Sequence, residues 1–580
     1  MFATDEQAAA ILSMAERRVV LADPGTGKTF TVVRVLADLI QRRNRDPECI
    51  AAVSFTRNAA LELRERARDF MPARRTIGIL FGTSTSLALQ IVRADAVKLG
   101  FPSGRVTIYD ERDQADVIGH LAKTMGLRAS VKKVRQCLED RRLGIPGETD
   151  RVVHRLAQAY EDRLRSWGAV DISGIIPLAL RALRSSSALR STWSRRCRYL
   201  LVDEAQDTAP IEVALYAALE PRQTVLVGDV NQAIYAFRGT TPDWLRDAAQ
   251  ANEAHDTFGE TWPLTQGFRC ADVIADAAGR VIAPNYQKDS PTLKGAPDVP
   301  GLVVRYRFES HQSQVHGVLE QIRRVTSTRG WSTAILARTN READHWIRAL
   351  RQAEIPCHRL ATDRALYATE EVRNFHAWLR ARWNPHDEVA TWRVLRSWKE
   401  RPPREQVYAA RQVALESDRP LLEVLGWPAL ELDESLPAFA TFAHLHISRP
   451  LADAALVNRL ENVDRALRDL ERVVERTEST DLGDFCDWLQ RKELADLIGS
   501  KEDREGVAVG TVHAAKGLEW DAVIMVGLEL GNFPNDRAPL DEERRLAYVA
   551  ATRARRWLFL AACGEAGDPS PFWKELGGDQ

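Results

Sequence analysis

Residues 22–29 read ADPGTGKT and lie between a short apolar run at residues 19–21 and a helical pattern that begins near Phe30. A glycine-rich turn between a strand and a helix can hold a phosphate group, because backbone N–H groups converge there and the helix N-terminus favours negative charge. Gly-Thr-Gly-Lys-Thr in this setting predicts a nucleotide-binding loop rather than an ordinary turn, although Ala22 stands where the pattern GxxxxGK[ST] has glycine.

Each position of this loop has an expected role. Lys28 would supply charge toward the β- and γ-phosphates, and the Thr29 hydroxyl would ligate Mg²⁺. Gln7 lies in a helical pattern led by Thr4, and its amide could pair with adenine or simply face solvent. The backbone expected around the β-phosphate belongs to Pro24, Gly25, Thr26 and Gly27. The predicted cofactors are therefore ATP and Mg²⁺.

The length and composition of the chain limit its number of domains, its cysteine chemistry and its location. The 580 residues with 45% hydrophobic composition predict about four compact units at roughly 150 residues each. The seven cysteines are scattered without a CxxC pair, which indicates neither a disulfide framework nor a zinc knuckle. Without an apolar leader or a membrane-length apolar run, we expect a cytoplasmic protein. Basic and acidic residues nearly cancel, 80 against 81, so any nucleic-acid affinity must come from local surfaces.

A second apolar run, residues 50–55, ends in Phe55 and is followed by Thr56 and Asn58 at the start of an arginine-rich helix. In a doubly wound sheet, ligands meet the carboxyl ends of the strands, so these residues would share an edge with the phosphate-binding loop. An aromatic ring, a hydroxyl and an amide suit the bases and phosphates of a single DNA strand. An ordinary strand-to-helix turn is the alternative.

Two further apolar runs end in polar residues. Residues 199–202 precede Asp203 and Glu204, which suit a nucleoside triphosphatase if Asp203 holds Mg²⁺ through water and Glu204 polarises the attacking water. Residues 224–227 precede Gln232, which could sense the γ-phosphate. Stacking rings and a cation for a DNA strand would then come from Tyr235, Phe237 and Arg238.

The second half of the chain repeats the alternation of strands and helices from near Leu302. Phe268 could stack on a purine, and Arg269 could reach the γ-phosphate. Glu519 could accept a hydrogen bond from a ribose hydroxyl, and Thr511 and His513 are expected on the DNA-binding edge. Arg553 is the candidate arginine finger, a role worth about 10³–10⁵ in rate.

Two long stretches lack regular strand signals. Residues 85–195 are mainly helical in pattern, and their basic clusters favour solvated faces over DNA contacts. Strand signals are also missing between residues 384 and about 504, where an apolar stripe favours a helix face in a small bundle over a coiled coil. The stripe consists of Leu460, Val463, Leu467, Leu470 and Val474.

Taken together, the motifs resemble those of superfamily 1 DNA helicases of the UvrD, Rep and PcrA group. The resembling segments are ADPGTGKT, FTRNAALELRERA, LLVDEAQDTAP, VLVGDVNQAIYAFRGT, LTQGFR, TVHAAKGLEWD and EERRLAYVAATRA. The resemblance implies an α/β fold of two RecA-like parallel-sheet lobes with ATP between them, each lobe carrying a mainly helical insertion. It also implies translocation along single-stranded DNA in the 3′ to 5′ direction.

The resemblance implies a first lobe of residues 1–84 and 196–270 with a helical insertion at 85–195. The second lobe would comprise residues 271–383 and 501–580 with an insertion at 384–500.

We expect an ATP-driven translocase or helicase acting on single-stranded or tailed DNA in repair, replication restart or phage defence. The alternative is a nucleotide-switched DNA-binding subunit that partners a nuclease without processive unwinding. The chain departs from the family at Ser84 and Thr85, where relatives have an aromatic residue and a histidine, and at Gly267 and Phe268.

Overall fold

A computed structural model describes residues 3–102, 104–145, 150–253, 259–286, 293–360, 367, 369–397, 402–417, 419–426, 453–477, 482–490 and 506–577. The α-helices in this part of the chain are Asp5–Leu12, Lys28–Ala37, Arg57–Phe70, Ala73–Thr76, Ser84–Ala94, Glu111–Thr124, Val131–Leu143, Arg151–Ser166, Ile175–Ser185, Ser187–Arg196, Pro210–Ala218, Asp243–Glu253, Asp272–Ile282, His311–Arg329, Asn340–Gln352, Glu370–Trp383, Glu388–Ser397, Arg404–Ser417, Leu421–Val424, Asp453–Thr477, Leu482–Gln490, Leu540–Ala551 and Pro571–Gly577. None of these helices is long and apolar enough to cross a membrane.

The strands in the described part of the chain are mostly short. They are β1 (Arg17–Ala22), β2 (Ile50–Val53), β3 (Leu80–Gly82), β4 (Thr107–Tyr109), β5 (Ala169–Asp171), β6 (Tyr199–Asp203), β7 (Gln223–Gly228), β8 (Gly259–Leu264), β9 (Gln266–Ala271), β10 (Lys294–Ala296), β11 (Leu302–Phe308), β12 (Thr333–Ala337), β13 (Cys357–Arg359), β14 (Val507–Thr511), β15 (Trp520–Met525) and β16 (Ala554–Cys563).

Two six-stranded sheets form the frame of the molecule. The strand order is β3-β2-β6-β7-β1-β8 in the first sheet and β11-β16-β15-β12-β14-β13 in the second. All strand pairs in both sheets are parallel, so the carboxyl ends of the strands in each sheet lie along one edge. This arrangement confirms the predicted α/β class with two parallel-sheet lobes.

The apolar runs become strands because helices cover both faces of each sheet. Val19 in β1 and Leu200 in β6 pack into one core of the first lobe, whereas their neighbours Val20 and Leu201 pack into a second core on the opposite face. Side chains along a strand alternate between faces, so one continuous apolar run serves both cores. The second lobe is likewise built on two cores.

The chain passes from one lobe to the other beside the phosphate-binding loop. Leu264, the last residue of β8, pairs with Ala22 of β1. Two residues later, β9 begins at Gln266 and pairs with β10. Ile274, in the helix that follows β9, is buried in a core of the second lobe. The crossing segment therefore brings β9 against the phosphate-binding loop, with the N–H of Phe268 donating to the carbonyl oxygen of Gly25.

The two stretches without strand signals are mainly helical where they are described. The first contains one unpredicted feature, the small parallel pair β4-β5. In the second, Val463, Leu467 and Leu470 are buried against the helix Glu370–Trp383, and Val474 is half-buried there. The Leu460 side chain lies outside the described part of the chain. The helix-face interpretation of the apolar stripe is confirmed for its described members.

A buried ionic cluster joins the first helical stretch to the second lobe. Arg380 donates hydrogen bonds to Asp113 at 2.7 Å and to Asp387 at 3.0 Å. Tyr109 in β4 donates to the same Asp387 carboxylate at 2.7 Å, and the Arg380 guanidinium lies over the Tyr109 ring. Asn384 also donates hydrogen bonds to Thr107 and to the carbonyl oxygens of Trp167 and Gly168, just before β5. Residues 107–171 are therefore held to the end of the helix Glu370–Trp383.

We expect Arg380→Ala to lower the free energy of unfolding by about 3–5 kcal/mol, because Asp113 and Asp387 would be left buried without their cation. Thermal and denaturant unfolding would measure the change. Arg419→Ala is the matched control, since its ion pair with Glu423 is exposed and its loss is expected to cost less than about 1 kcal/mol. Equal stability of the two variants would contradict the assignment.

Candidate active site and nucleic-acid interface

Two glycines shape the loop that follows β1. Gly25 and Gly27 have φ values of +75° and +85°, a region that side chains with a Cβ rarely adopt. A Cβ on Gly25 would lie 2.5 Å from Cβ of Arg269, and one on Gly27 would lie 2.8 Å from Nε2 of Gln7. These glycines therefore allow both the turn and the close approach of β9 and of the N-terminal helix.

Lys28 begins the helix Lys28–Ala37 and folds back over the loop. Its Nζ donates hydrogen bonds to the carbonyl oxygens of Ala22 at 3.0 Å and Asp23 at 3.3 Å. Oδ2 of Asp229, from the end of β7, lies 4.0 Å from the same nitrogen. Thr29 is half-buried in the first turn of the helix. The loop thus holds a cation at its centre, where phosphate oxygens would be attracted.

Two acidic residues follow the buried strand β6. Burial and the neighbouring Glu204 carboxylate raise the pKa of Asp203 to about 7. Burial also opposes ionisation of Glu204, but the charges of Lys516 and Lys28 and a hydrogen bond from Gln206 outweigh it and lower the Glu204 pKa. Glu204 has a φ of +55°, a strained backbone conformation of the kind found at functional sites. Its ionised carboxylate is suited to accept a proton.

The same region is chemically suited to Mg²⁺. Thr29 and Asp203 offer the hard oxygen donors that this ion prefers. The pKa of Asp23 is also raised to about 7, by burial and then by the nearby Asp229 carboxylate. A bound divalent cation would offset the repulsion among these carboxylates. The donor set therefore fits the predicted metal, with Thr29 and Asp203 as its candidate ligands.

Gln232 connects the two lobes. Its Nε2 donates a hydrogen bond to Asp229 at 2.8 Å, and its Oε1 accepts one from Arg553 of the second lobe at 3.3 Å. Arg553 is buried and also donates to the carbonyl oxygens of Val549 and Leu518. Burial and the nearby Arg269 charge lower the pKa of Arg553 to about 9, although Glu204 acts in the opposite direction. Arg553 thus lies within electrostatic range of the catalytic candidates.

Three of the predicted nucleotide contacts are engaged with the protein itself. Arg269 and Arg555 both form ion pairs with Glu519, so the Glu519 carboxylate is neutralised instead of being open to a ribose. The Gln7 amide donates to the carbonyl oxygen of Thr26 at 2.9 Å and accepts from the backbone N–H of Thr4 at 3.1 Å. Gln7 therefore stabilises the loop in this structure, because the nitrogen and the oxygen of its amide are both hydrogen-bonded to the protein backbone.

Phe268 differs from these residues in its exposure. Its backbone N–H donates to the carbonyl oxygen of Gly25 at 2.9 Å, while its ring is 48% exposed beside the loop. The backbone of β9 is thus fixed against the loop, and the ring is left available to a planar ligand.

Lys516 is a functional candidate that the sequence reasoning missed. It is buried, and it donates to the Asp207 carboxylate and, at 2.7 Å, to the carbonyl oxygen of Gln232. The same ammonium lies 4.9 Å from the centre of the Tyr235 ring. Its position just after β14, at the carboxyl edge of the second sheet, was the signal that could have identified it.

Aromatic residues from both lobes meet beside Lys516. The rings of Phe55 and Tyr235 are stacked with centroids 4.6 Å apart. Phe237 packs edge-on against Tyr235 and against His513, at 6.0 Å and 5.4 Å. The Phe237 ring is 68% exposed. We call these four residues the aromatic cluster, and its exposed Phe237 ring is of the type on which unpaired bases stack.

The other predicted DNA contacts lie at helix or turn starts near this cluster. Thr56 and Thr511 both act as caps, because their hydroxyls accept hydrogen bonds from the backbone N–H groups of Ala59 and Ala514. Asn58 lies in the first turn of the helix Arg57–Phe70. The Arg238 side chain lies outside the described part of the structure. Ser84, where the family pattern differs, is hydrogen-bonded to the Tyr216 hydroxyl at 2.6 Å.

A phosphate-binding loop at the end of one parallel sheet, with Arg553 from the other lobe hydrogen-bonded to Gln232 beside it, is the arrangement of a two-lobed nucleoside triphosphatase. Residues 3–252 match the family model described as the UvrD/REP helicase N-terminal domain, and residues 263–419 and 431–565 match that of the UvrD-like helicase C-terminal domain. The chain belongs to the UvrD/REP helicase family, which confirms the resemblance seen in the motifs.

Curated relatives are similar over most of their length. The ATP-dependent DNA helicase Rep of Escherichia coli strain K12 is 28% identical, with 96% of this chain and 91% of the relative covered. Rep of Salmonella typhimurium is 26% identical with the same coverage. The ATP-dependent DNA helicase PcrA of Leuconostoc citreum is 26% identical, with 99% of this chain and 84% of the relative covered.

Proposed function

We propose that this protein is an ATP-driven motor that moves along single-stranded DNA and separates strands. One observation carries the proposal, namely that the ATP-site candidates and the aromatic cluster are joined through Lys516. This lysine contacts Asp207 and the backbone of Gln232 on the nucleotide side and the Tyr235 ring on the DNA side. A change at one site therefore has a direct physical route to the other.

Hydrolysis is assigned to side chains from both lobes. Lys28 supplies positive charge to the phosphates, and Glu204 accepts a proton from the attacking water. Arg553 adds positive charge from the second lobe as negative charge develops on the transferred group. Mg²⁺, when held by Thr29 and Asp203, supplies charge neutralisation along the phosphates. Arg269 joins the site when it leaves Glu519, and Phe268 provides a face for the purine.

Movement follows from closure of the two lobes around the nucleotide. Arg553 and Lys516 belong to the second lobe, and both bond to Gln232 of the first. When hydrolysis relaxes these contacts, the Phe55, Tyr235 and Phe237 region and the His513 region alternate their hold on the strand. Each cycle advances the protein along the DNA.

The finer assignments follow the family likeness. The first lobe comprises residues 1–84 and 196–270 with an insertion at 85–195, and the second comprises 271–383 and 501–580 with an insertion at 384–500. Movement proceeds in the 3′ to 5′ direction, in DNA repair or replication restart. Single-stranded or tailed DNA is the partner.

We expect Phe237→Ala to weaken binding of single-stranded DNA by about 5- to 150-fold, because stacking is worth about 1–3 kcal/mol per base. Fluorescence anisotropy with a labelled oligothymidylate would measure the dissociation constant. Tyr306→Ala is the control, since Tyr306 is also an exposed aromatic residue, 54% exposed, in β11 of the second lobe. If the two variants bound single-stranded DNA equally well, the aromatic cluster would not be part of the DNA-binding site.

A strand-displacement assay tests the proposal against a nucleotide-switched clamp. The substrates are one duplex with a 3′ single-stranded tail and a matched duplex with a 5′ tail, each also used with streptavidin bound at the tail end. A motor that moves 3′ to 5′ is expected to displace the strand only from the 3′-tailed substrate, where it runs toward the duplex. It is expected to eject streptavidin only from the 5′-tailed substrate, where it runs toward the free end of the tail. ATP turnover without either event would support the clamp instead.

A further inference from the structure

Three side chains with metal-binding atoms meet at the edge of the second sheet, away from the nucleotide loop. Nδ1 of His311 lies 3.4 Å from Sγ of Cys563 and 3.4 Å from Oε2 of Glu565. All three donor atoms lie within 4.8 Å of one another. Neither the predicted ATP chemistry nor the aromatic cluster uses any of them.

The fold builds this cluster from two neighbouring strands. Phe308, the last residue of β11, pairs with Cys563, the last residue of β16. The N–H of Glu565 donates to the carbonyl oxygen of Glu309 at 3.2 Å, and the N–H of His311 donates to Oε2 of Glu565 at 3.0 Å. These two hydrogen bonds hold the two loops against each other.

A buried carboxylate fixes the backbone of the cysteine by a hydrogen bond. Oε1 of Glu529 accepts a hydrogen bond from the backbone N–H of Cys563 at 2.7 Å, and Glu529 is only 3% exposed. Cys563 is itself buried and is a free thiol. His311 and Glu565, in contrast, are more than half exposed. An ion can therefore enter from solvent and meet a sulfur atom that is held in place.

Two of the three separations between donor atoms match those of tetrahedral zinc. With Zn–S near 2.3 Å and Zn–N and Zn–O near 2.0–2.1 Å, tetrahedral angles place sulfur and nitrogen about 3.6 Å apart and nitrogen and oxygen about 3.3 Å apart. The observed separations of 3.4 Å between Sγ and Nδ1 and between Nδ1 and Oε2 are within about 0.2 Å of these values, and the third pair of donor atoms lies within 4.8 Å. One thiolate, one imidazole and one carboxylate also form a donor set that zinc accepts, whereas Mg²⁺ prefers oxygen alone.

We propose that His311, Cys563 and Glu565 form a binding site for Zn²⁺ or a similar borderline-soft divalent ion, with water in the fourth position. The ion would tie the loop after the edge strand β11 to the loop after β16. In the strand order β11-β16-β15-β12-β14-β13, β14 and its Lys516 turn lie three strands beyond β16. The site is therefore distinct from the Mg²⁺ site at the phosphate-binding loop.

Zinc binding by the full-length, tag-free protein tests this proposal. The apoprotein is dialysed against Zn²⁺ in the presence of excess Mg²⁺, and bound zinc is measured by atomic emission. We expect one zinc ion per chain, with background levels for His311→Ala and Cys563→Ser and weaker binding for Glu565→Gln. Substituting Co²⁺ should give the absorption of a tetrahedral ion with a thiolate charge-transfer band, which Cys563→Ser removes.

A second cysteine–histidine pair provides the matched control. Sγ of Cys137 lies 3.5 Å from Nδ1 of His154, but no carboxylate joins this pair in a metal-binding group among the described residues. Cys137→Ser is therefore expected to bind zinc like the unmodified protein. Background zinc in the unmodified protein, or zinc binding that survives in a folded His311→Ala variant, would overturn the proposal. Thermal unfolding of each apoprotein would show that the variants are folded.

Discussion

Replacing Glu204 by glutamine is expected to lower the rate of ATP hydrolysis by about 10²–10⁴-fold while leaving ATP binding within a few-fold, since general base catalysis contributes about that much. The amide has the same shape as the carboxylate but cannot accept a proton from water. The lowered pKa of Glu204 means that the wild-type side chain is ionised at neutral pH and ready to act as a base. Phosphate release at saturating ATP and DNA would measure the loss.

Glu212→Gln is the matched control for this prediction. Glu212 is another largely buried carboxylate of the first lobe with a raised pKa, owing mainly to burial, but it bonds to the backbone N–H of Ala209 at the start of a helix. Its loss is expected to leave turnover within a few-fold. If Glu204→Gln hydrolysed ATP as fast as Glu212→Gln, Glu204 would not be the catalytic base.

Arg553→Ala is expected to reduce hydrolysis by about 10³–10⁵-fold, the range associated with arginine fingers. Arg553 is buried in the second lobe yet hydrogen-bonds Gln232 of the first, so it can add charge to the site when the lobes close. Arg553→Lys should restore little activity, because lysine keeps the charge but loses the planar set of donors that also bonds Val549 and Leu518. Single-turnover hydrolysis would measure both variants.

Because Arg553 is buried, its variants must also be shown to fold and to bind ATP. Arg556→Ala provides the comparison, since Arg556 lies three residues further on and is exposed. We expect this variant to hydrolyse ATP normally. Wild-type turnover by a folded Arg553→Ala variant would show that the second lobe contributes no arginine through this position.

The apolar runs predicted most of the central strands, because a parallel strand covered on both faces must be continuously apolar. Residues 50–53 and 199–202, for example, lie in β2 and β6 as expected. The missed strands are short or polar. β8 contains Glu260, Thr261 and Pro263, and its place depends on pairing with β1, which no local pattern reveals.

The candidate site was predictable where motif and strand end coincide, as at Lys28 and Glu204. It was less predictable where tertiary contacts redirect a side chain. Glu519 has a suitable carboxylate, but its partners are Arg269 and Arg555, and only the folded chain places them beside it. Lys516 was overlooked for the same reason, because its partner Asp207 is 309 residues away in the sequence.

Rules based on the spacing of ligands in the sequence could not have predicted the proposed zinc site at His311, Cys563 and Glu565. Scattered cysteines gave no indication of a zinc site, since those rules look for pairs of ligands close together in the sequence. His311 and Cys563 are 252 residues apart and meet only because β11 and β16 are neighbours in the second sheet.

The central claim is that ATP cleavage between the lobes is coupled to the hold on a single DNA strand. The most direct test is steady-state ATP hydrolysis by the purified protein with and without a saturating oligothymidylate, repeated with Phe237→Ala. Coupling predicts strong stimulation by DNA, and a higher DNA concentration for half-maximal stimulation in the variant. Turnover that is the same with and without DNA would contradict the account.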